Sequence, residues 1–336
     1  MIENVILPGT TREEWPGIRA SIRRRIEESF GVPETPPSGG KAPFGEIDRY
    51  ERHGLTHVVI RYHVIGDEWN EGICVVPAGA SAAHPAPAVL TCHGSNGELG
   101  KLGVLDPENL PDRAYGIELA RRGYVTFSVD QFGFGKVLRE HTREQVAEEF
   151  YRRHPRWSLT GRRILEHRRA LDVLEQLPFV RPGAFAVMGH SLGGYTTLCL
   201  SAFDERVAAA VASAGVSPNL YNVYRSITVN RAAEPQFVAH VEEHRGRMPW
   251  EKQEMLALCA PRAFLMIEPY NDPYNPCIVP TFECMAKAAD VYRLLGAPEK
   301  LATVVHGDGH TTLPRIREFA YGWIERFVPL HPQPGE

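Results

Sequence analysis

The chain of 336 residues predicts an α/β architecture: a mostly parallel central sheet with antiparallel strands on its N-terminal side, helices on both faces and a lid-like insertion. Three observations predict it. From residue 88 onward, short strands that are apolar throughout alternate with helical segments, which is the pattern of parallel strands covered on both faces. Before residue 88 the runs are alternating or β-branched and are bounded by Gly, Asp and Pro, which favours antiparallel pairing. A content of 43% hydrophobic and 23% charged residues is that of an ordinary globular protein, and it excludes a disordered, collagen-like or coiled-coil chain.

Residues 11–30 place Ile18, Ile22, Ile26 and Phe30 at i, i+4 spacing with Arg and Glu between them, so their apolar side chains share one helical face. The next stretch, Gly31–Gly45, is dense in proline and glycine and reads as a loop. Residues 1–45 are therefore expected to form a helical arm and linker, and residues 46–330 the main domain. Strands are predicted within 46–77 and then at Ala88–Cys92, Tyr124–Val129, Ala184–Met188, Val207–Ala212, Ala263–Ile267 and Leu301–Val305. Helices are predicted near Asp112–Arg122, Arg162–Leu177, Leu192–Phe203, Val279–Leu295 and Leu313–Phe327. The gap at 215–260 exceeds a plain connection and holds Tyr221, Tyr224, Phe237 and Trp250, so it is expected to be an insertion over the sheet, with 137–160 a second one.

Thirty-seven Lys and Arg against 41 Asp and Glu give a net charge of −4 without a long basic run, so no nucleic-acid partner is expected. No stretch approaches the ~18 apolar residues of a membrane span, so no membrane partner is expected either. The N-terminus carries an acid and no long apolar run, which predicts no secretory leader. The six cysteines show no C-x-x-C pair and mostly lie in apolar runs, which predicts buried free thiols in a reducing compartment, the cytoplasm.

The chemistry concentrates at Gly189-His190-Ser191-Leu192-Gly193-Gly194, directly after one predicted strand and before a helical run. Glycines two residues either side of a serine let a strand turn sharply into a helix and leave the hydroxyl exposed above the sheet. A serine needs a base, and in this arrangement the base is a histidine after the last strand. His310, in a glycine-rich loop, is the favoured candidate and His306 the weaker one. The acid that orients the base should follow the preceding strand, where Asp272 is favoured over Glu268, with Asp308 third. Two N–H groups are needed for the oxyanion: Leu192 supplies one, and Ser95, in Cys92-His93-Gly94-Ser95-Asn96-Gly97, the other. Asn96, Tyr221, Tyr224 and Phe237 are the candidate substrate-binding residues, the aromatic ones because the insertion leaves the sheet at the end where such folds bind ligands. His240 and His244 do not form H-E-x-x-H, so no metal site is expected.

The order of these motifs, together with Asp130-Gln131-Phe132-Gly133-Phe134-Gly135, resembles the α/β-hydrolase superfamily over about residues 70–328. The resemblance is to serine esterases of the dienelactone hydrolase and acetylxylan esterase type. His93–Gly97 is similar to the H-G-x-N-G oxyanion loop of acetylxylan and cephalosporin-C deacetylases, and Ala260–Ile267 to the A-P-R lead-in to the acid strand. Two positions depart from relatives: dienelactone hydrolases proper have cysteine at Ser191, and glucuronoyl esterases have arginine at Leu192. The resemblance implies hydrolysis of a small-molecule ester, with small acyl or carbohydrate-type groups, through an acyl-enzyme and without a metal or organic cofactor. A homo-oligomer is left open. A prolyl oligopeptidase-like peptidase or amidase would use the same three residues, but no repeat of blade length accompanies them. A non-catalytic binding protein of the same fold is the remaining alternative.

Overall fold

The computed structural model describes residues 2–33, 40–183, 185–221 and 232–331. The runs before residue 88 form an antiparallel meander of β1 (Phe44–Arg52), β2 (Leu55–Ile65) and β3 (Glu68–Val76). β3 pairs antiparallel with β5 (Val125–Val129) and so joins the meander to the parallel strands. These are β4 (Ala88–Cys92), β6 (Phe185–His190), β7 (Val207–Ser213), β8 (Ala263–Pro269) and β9 (Leu301–His306). Among the described residues the sheet has nine strands in the order β1-β2-β3-β5-β4-β6-β7-β8-β9. Every residue of β4, β5, β6 and β8 is buried, which is why those runs carry no polar alternation in the sequence.

Successive side chains of one strand feed two separate cores. Val89 and Met188 pack with α2 (Tyr115–Arg121) and α9 (Pro314–Phe327) on one face. Leu90 and Val187 pack on the other face with α1 (Trp15–Phe30), α4 (Leu159–Leu174), α5 (Leu192–Phe203), α7 (Lys252–Cys259) and α8 (Ile278–Leu294). The helix α1 is not a detached arm. Its stripe of Ile22, Ile26 and Phe30 is buried, and Phe30 meets Phe203 and Trp250 edge-on at 5.9 Å each. An apolar stripe of that width would otherwise face water, so the helix belongs to the main body.

The 137–160 region forms α3 (Arg143–Arg153), opened by a capping box between Thr142 and Gln145. In the 215–260 region, α6 (Pro235–Glu243) and α7 are the described helices. Here the structure corrects an expectation: Phe237 has no exposed surface and packs edge-on at 5.6 Å against Trp250, whose indole N–H donates to Ser29 Oγ at 2.7 Å. Phe237 fastens the insertion to the body and is shut off from any substrate. Phe237→Ala is expected to cost about 3–5 kcal/mol of stability, because a buried ring leaves a cavity. Thermal melts set beside a panel of acyl esters check this: Tm should fall with the substrate ranking kept, and a changed ranking at constant Tm would contradict it.

Among the described residues, no helix is long and apolar enough to cross a membrane, and no group of three or more His, Cys, Asp or Glu is placed to hold a metal ion. All six cysteines are free thiols, five of them buried.

Candidate active site

β6 ends at His190 and α5 begins at Leu192, so Ser191 occupies the turn between them, with φ 59° and ψ −121°. Positive φ is uncommon for a residue with a side chain and marks a position the surroundings enforce. The Ser191 N–H donates to the Ser213 carbonyl of β7 at 2.8 Å, and the Ser191 carbonyl accepts from the Tyr195 N–H at 3.0 Å. A Cβ on Gly189 would overlap the Gly193 carbonyl, and one on Gly193 would overlap the Cys92 carbonyl. Glycine at both places therefore lets α5 seat directly on β4 and β6. The serine is left beyond the C-terminal ends of these strands, at the N-terminus of a twelve-residue helix.

Asp272 and His310, from the loops after β8 and β9, meet at this end of the sheet. His310 Nδ1 lies 2.7 Å from Asp272 Oδ2, and the carboxylate side chain is fully buried. The other oxygen, Oδ1, accepts the Tyr274 N–H at 2.7 Å. Burial works against ionisation of Asp272, but the bonds from His310 and Tyr274 outweigh it and hold its pKa below the usual carboxylate value. An ionised acceptor requires the proton on Nδ1, which leaves His310 Nε2 as the basic nitrogen. The ring of His310 packs against His190 with centroids 4.6 Å apart and meets Tyr274 edge-on at 4.8 Å. His190 immediately precedes Ser191, so serine and imidazole share one small region. Burial, then the neighbouring His310, push the pKa of His190 down to about 3, so it packs there as a neutral ring.

The rival candidates are otherwise engaged. Glu268, at the end of β8, accepts the Val216 N–H at 3.1 Å, and its pKa rises to about 8 through burial, with the charge of Asp272 adding to it. Burial therefore favours its neutral form. His306 faces Asp308, with Nδ1 3.4 Å from Oδ2, and Asp308 also pairs with Arg315. The Glu268 shift makes a stability prediction whose sign is fixed. A carboxyl with a raised folded pKa contributes stability that is fully present below its ordinary 4.5 and is lost as pH climbs through about 8. Glu268→Gln cannot ionise, so the Tm difference between wild type and variant should swing against the wild type by several kcal/mol equivalent across that window. A difference independent of pH, followed by melting in buffers from about pH 5 to pH 9, would show that Glu268 is ionised in the fold.

Ser95 and Leu192 both line one cavity of about 260 Å³. Its described walls also include Phe134, Arg163, Tyr195, Glu234 and Lys252. The loop that carries Ser95 is fixed by His93, which is buried. The Gln131 N–H donates to His93 Nε2 at 2.9 Å, so the ring hydrogen sits on Nδ1 and donates to the Gly94 carbonyl at 2.7 Å. Burial lowers the pKa of His93 to about 4, which keeps this tautomer near neutral pH. In a planar trans peptide the Ser95 N–H points opposite to the Gly94 carbonyl, so the His93 bond sets the direction of that N–H. Gln131 returns a bond to the His93 carbonyl and accepts from the Thr196 hydroxyl of α5 at 2.5 Å, which ties the loop to the helix behind Ser191.

The four residues expected to bind substrate fare differently. Asn96 uses its amide to donate to the Gly100 carbonyl at 3.0 Å and so holds its own turn rather than lining the cavity. Tyr221 is exposed, and its carbonyl accepts from the Cys277 thiol at 3.0 Å. Tyr224 lies outside the described residues, and Phe237 is in the core. The cavity instead takes Ser217, Asn219, Glu234 and Lys252 from the insertion and Arg143 from α3. Arg163 and Lys252 sit within ordinary helical patterns, and no spacing in the sequence sets them apart. His190 lies inside the quoted serine motif, and Tyr274 two residues beyond Asp272, so proximity to the motifs was the available signal for both.

A family model described as glucuronyl esterase, fungi, matches residues 123–296, a span that includes Ser191 and Asp272 and stops before His310. No curated protein matches the sequence. Among solved structures, a glucuronoyl esterase from Solibacter usitatus is 16% identical with a TM-score of 0.73, covering 97% of each chain. A promiscuous esterase of carbohydrate esterase family 15 from a marine bacterial metagenome is 15% identical with a TM-score of 0.71, again over 97% of each chain. The glucuronoyl esterase catalytic domain from Hypocrea jecorina is 16% identical with a TM-score of 0.66, over 96% of this chain and 86% of that one. At such identities these likenesses establish the α/β-hydrolase fold.

Proposed function

The chain belongs to the glucuronyl esterase family and is a carboxylic ester hydrolase, and we propose that it cleaves carbohydrate-type esters by acyl transfer through Ser191, His310 and Asp272. The observation that carries this reading is the buried Asp272–His310 bond of 2.7 Å, packed on the residue that precedes a serine held at φ 59°. Ser191 Oγ attacks the ester carbonyl carbon while its proton passes to His310 Nε2. Asp272, kept ionised, stabilises the resulting imidazolium from the Nδ1 side. The oxyanion faces the N–H groups of Leu192 and Ser95. Collapse expels the alcohol, which takes the proton from His310 Nε2, and Ser191 is left acylated. Water then attacks the acyl carbonyl with His310 again as base, and the acid leaves with Ser191 regenerated.

The free thiols, which neither pair nor ligate among the described residues, support a place in a reducing compartment, the cytoplasm. A panel of acetyl, longer acyl, uronate and aminoacyl esters and amides, with Ser191→Ala as blank, tests the activity. Turnover of carbohydrate esters well above aminoacyl amides is expected. Faster cleavage of amides than of any ester would hand the site to a peptidase.

A further inference from the structure

Resting on the esterase reading above, we infer that the ester this enzyme hydrolyses carries a second, free carboxylate, which docks between Arg163 and Lys252 in the cavity beside Leu192. The fold pairs its other buried cations with carboxylates. Arg162 pairs with Glu68 at 2.8 Å and with Glu166, Lys101 with Asp130 at 2.6 Å, Arg169 with Asp172 at 3.1 Å, and Arg317 with Glu118. This is the usual arrangement, since an unpaired charge taken out of water is costly.

Arg163 and Lys252 break the pattern. They are 8% and 4% exposed, and among the described residues neither has a carboxylate within ion-pair distance. Arg163 Nε donates to the Phe132 carbonyl at 3.1 Å, and its guanidinium lies 5.4 Å from the Phe134 ring. Lys252 Nζ donates to Asn219 Oδ1 at 2.6 Å and sits 4.9 Å from the Tyr195 ring. Burial lowers the pKa of both and outweighs the opposing pull of Glu166 and Glu234 on Arg163 and of Glu251 and Glu234 on Lys252.

Glu234 is the one carboxylate among the cavity's described walls. Its Oε1 is held at the side by the Thr160 hydroxyl at 2.8 Å and the Tyr195 hydroxyl at 2.9 Å. Among the described wall residues, two buried cations and Arg143 at the rim stand against one anchored carboxylate, so the lining itself carries a positive excess, with Glu166 and Glu251 set behind it. The cations also lie close to the reacting position. Tyr195, under Lys252, is bonded to the Ser191 carbonyl at 3.0 Å, and Phe134, beside Arg163, meets His93 edge-on at 5.9 Å. A carboxylate suits this site because a guanidinium binds it through parallel N–H bonds.

Two pairs of substrates isolate the charge: mono-4-nitrophenyl glutarate against 4-nitrophenyl valerate for the acyl side, and 4-acetoxybenzoate against 4-acetoxybenzamide for the alcohol side. The wild type should favour the anionic member of one pair by about tenfold in kcat/KM, less so at high salt. Arg163→Gln should lower kcat/KM for that anion about tenfold more than for its neutral partner. Arg143→Gln, an exposed and structurally tolerant change, should show the same selectivity at about two- to threefold. Free glutarate should inhibit competitively where glutaramide does not. Equal use of both members in both pairs, or equal losses on anion and neutral ester in both variants, would overturn the inference. Hydrolysis of the neutral esters that stops in Ser191→Ala would leave the esterase reading standing in that event. No turnover of any ester would remove both.

Discussion

Replacing Ser191 by alanine is expected to lower kcat on any ester by about 10⁴-fold or more, with the fold intact. The hydroxyl is the only atom lost, and it lies outside both hydrophobic cores. The backbone bonds that enforce φ 59°, from the Ser191 N–H to Ser213 and from the Tyr195 N–H to Ser191, survive the change. Residual rate would come from the oxyanion donors and binding alone. Steady-state kinetics beside circular dichroism checks this, and ordinary turnover in a folded variant would place the chemistry elsewhere.

Asp272→Asn should be nearly as damaging, at about 10³- to 10⁴-fold in kcat, although it alters a single atom. The amide can donate to His310 Nδ1, which moves the ring hydrogen to Nε2, where it faces the serine and blocks proton uptake. The variant should also lose a pH signature. With its pKa held low, Asp272 contributes stability that is present above its ordinary 3.8 and is lost as pH falls. Wild type should therefore outlast Asp272→Asn near neutrality and converge with it in acid. Glu268→Gln should slow the enzyme far less, because burial disfavours its charge and its carboxyl accepts from Val216 while His310 bonds to Asp272. The opposite ranking of the two variants would transfer the role to Glu268.

Much of this was legible in the sequence because the buried parallel strands must be apolar on both faces and the serine turn must have glycine at its close approaches. The α5 boundaries, Leu192–Phe203, agree to the residue for that reason. The order Ser191, Asp272, His310 follows from the same topology. What failed is what depends on long-range packing. Phe237 and Trp250 read as lid aromatics, but an aromatic ring over a sheet and one in a core have the same local pattern. Asn96 sits in a motif that suggests ligand contact, yet its amide closes a turn onto Gly100. Arg163 and Lys252 are separated by 89 positions and line one cavity only because α4 and α7 each pack on α5. Leu192 stands where glucuronoyl esterases carry arginine, a departure that withholds their substrate from this chain on sequence grounds. Family membership nevertheless holds, because it rests on a span of 123–296 rather than on one position.

The most direct test of the account is trapping with a 4-nitrophenyl phosphonate ester, read by intact mass and by peptide mapping. A serine activated by His310 and Asp272 attacks phosphorus as it would a carbonyl, releases 4-nitrophenol and keeps the phosphonyl group. One adduct per chain is expected, on the peptide containing Ser191, with activity lost in proportion and with labelling abolished in Ser191→Ala and slowed by orders of magnitude in Asp272→Asn. An adduct on another residue, or full esterase activity in protein that carries the adduct on Ser191, would contradict it.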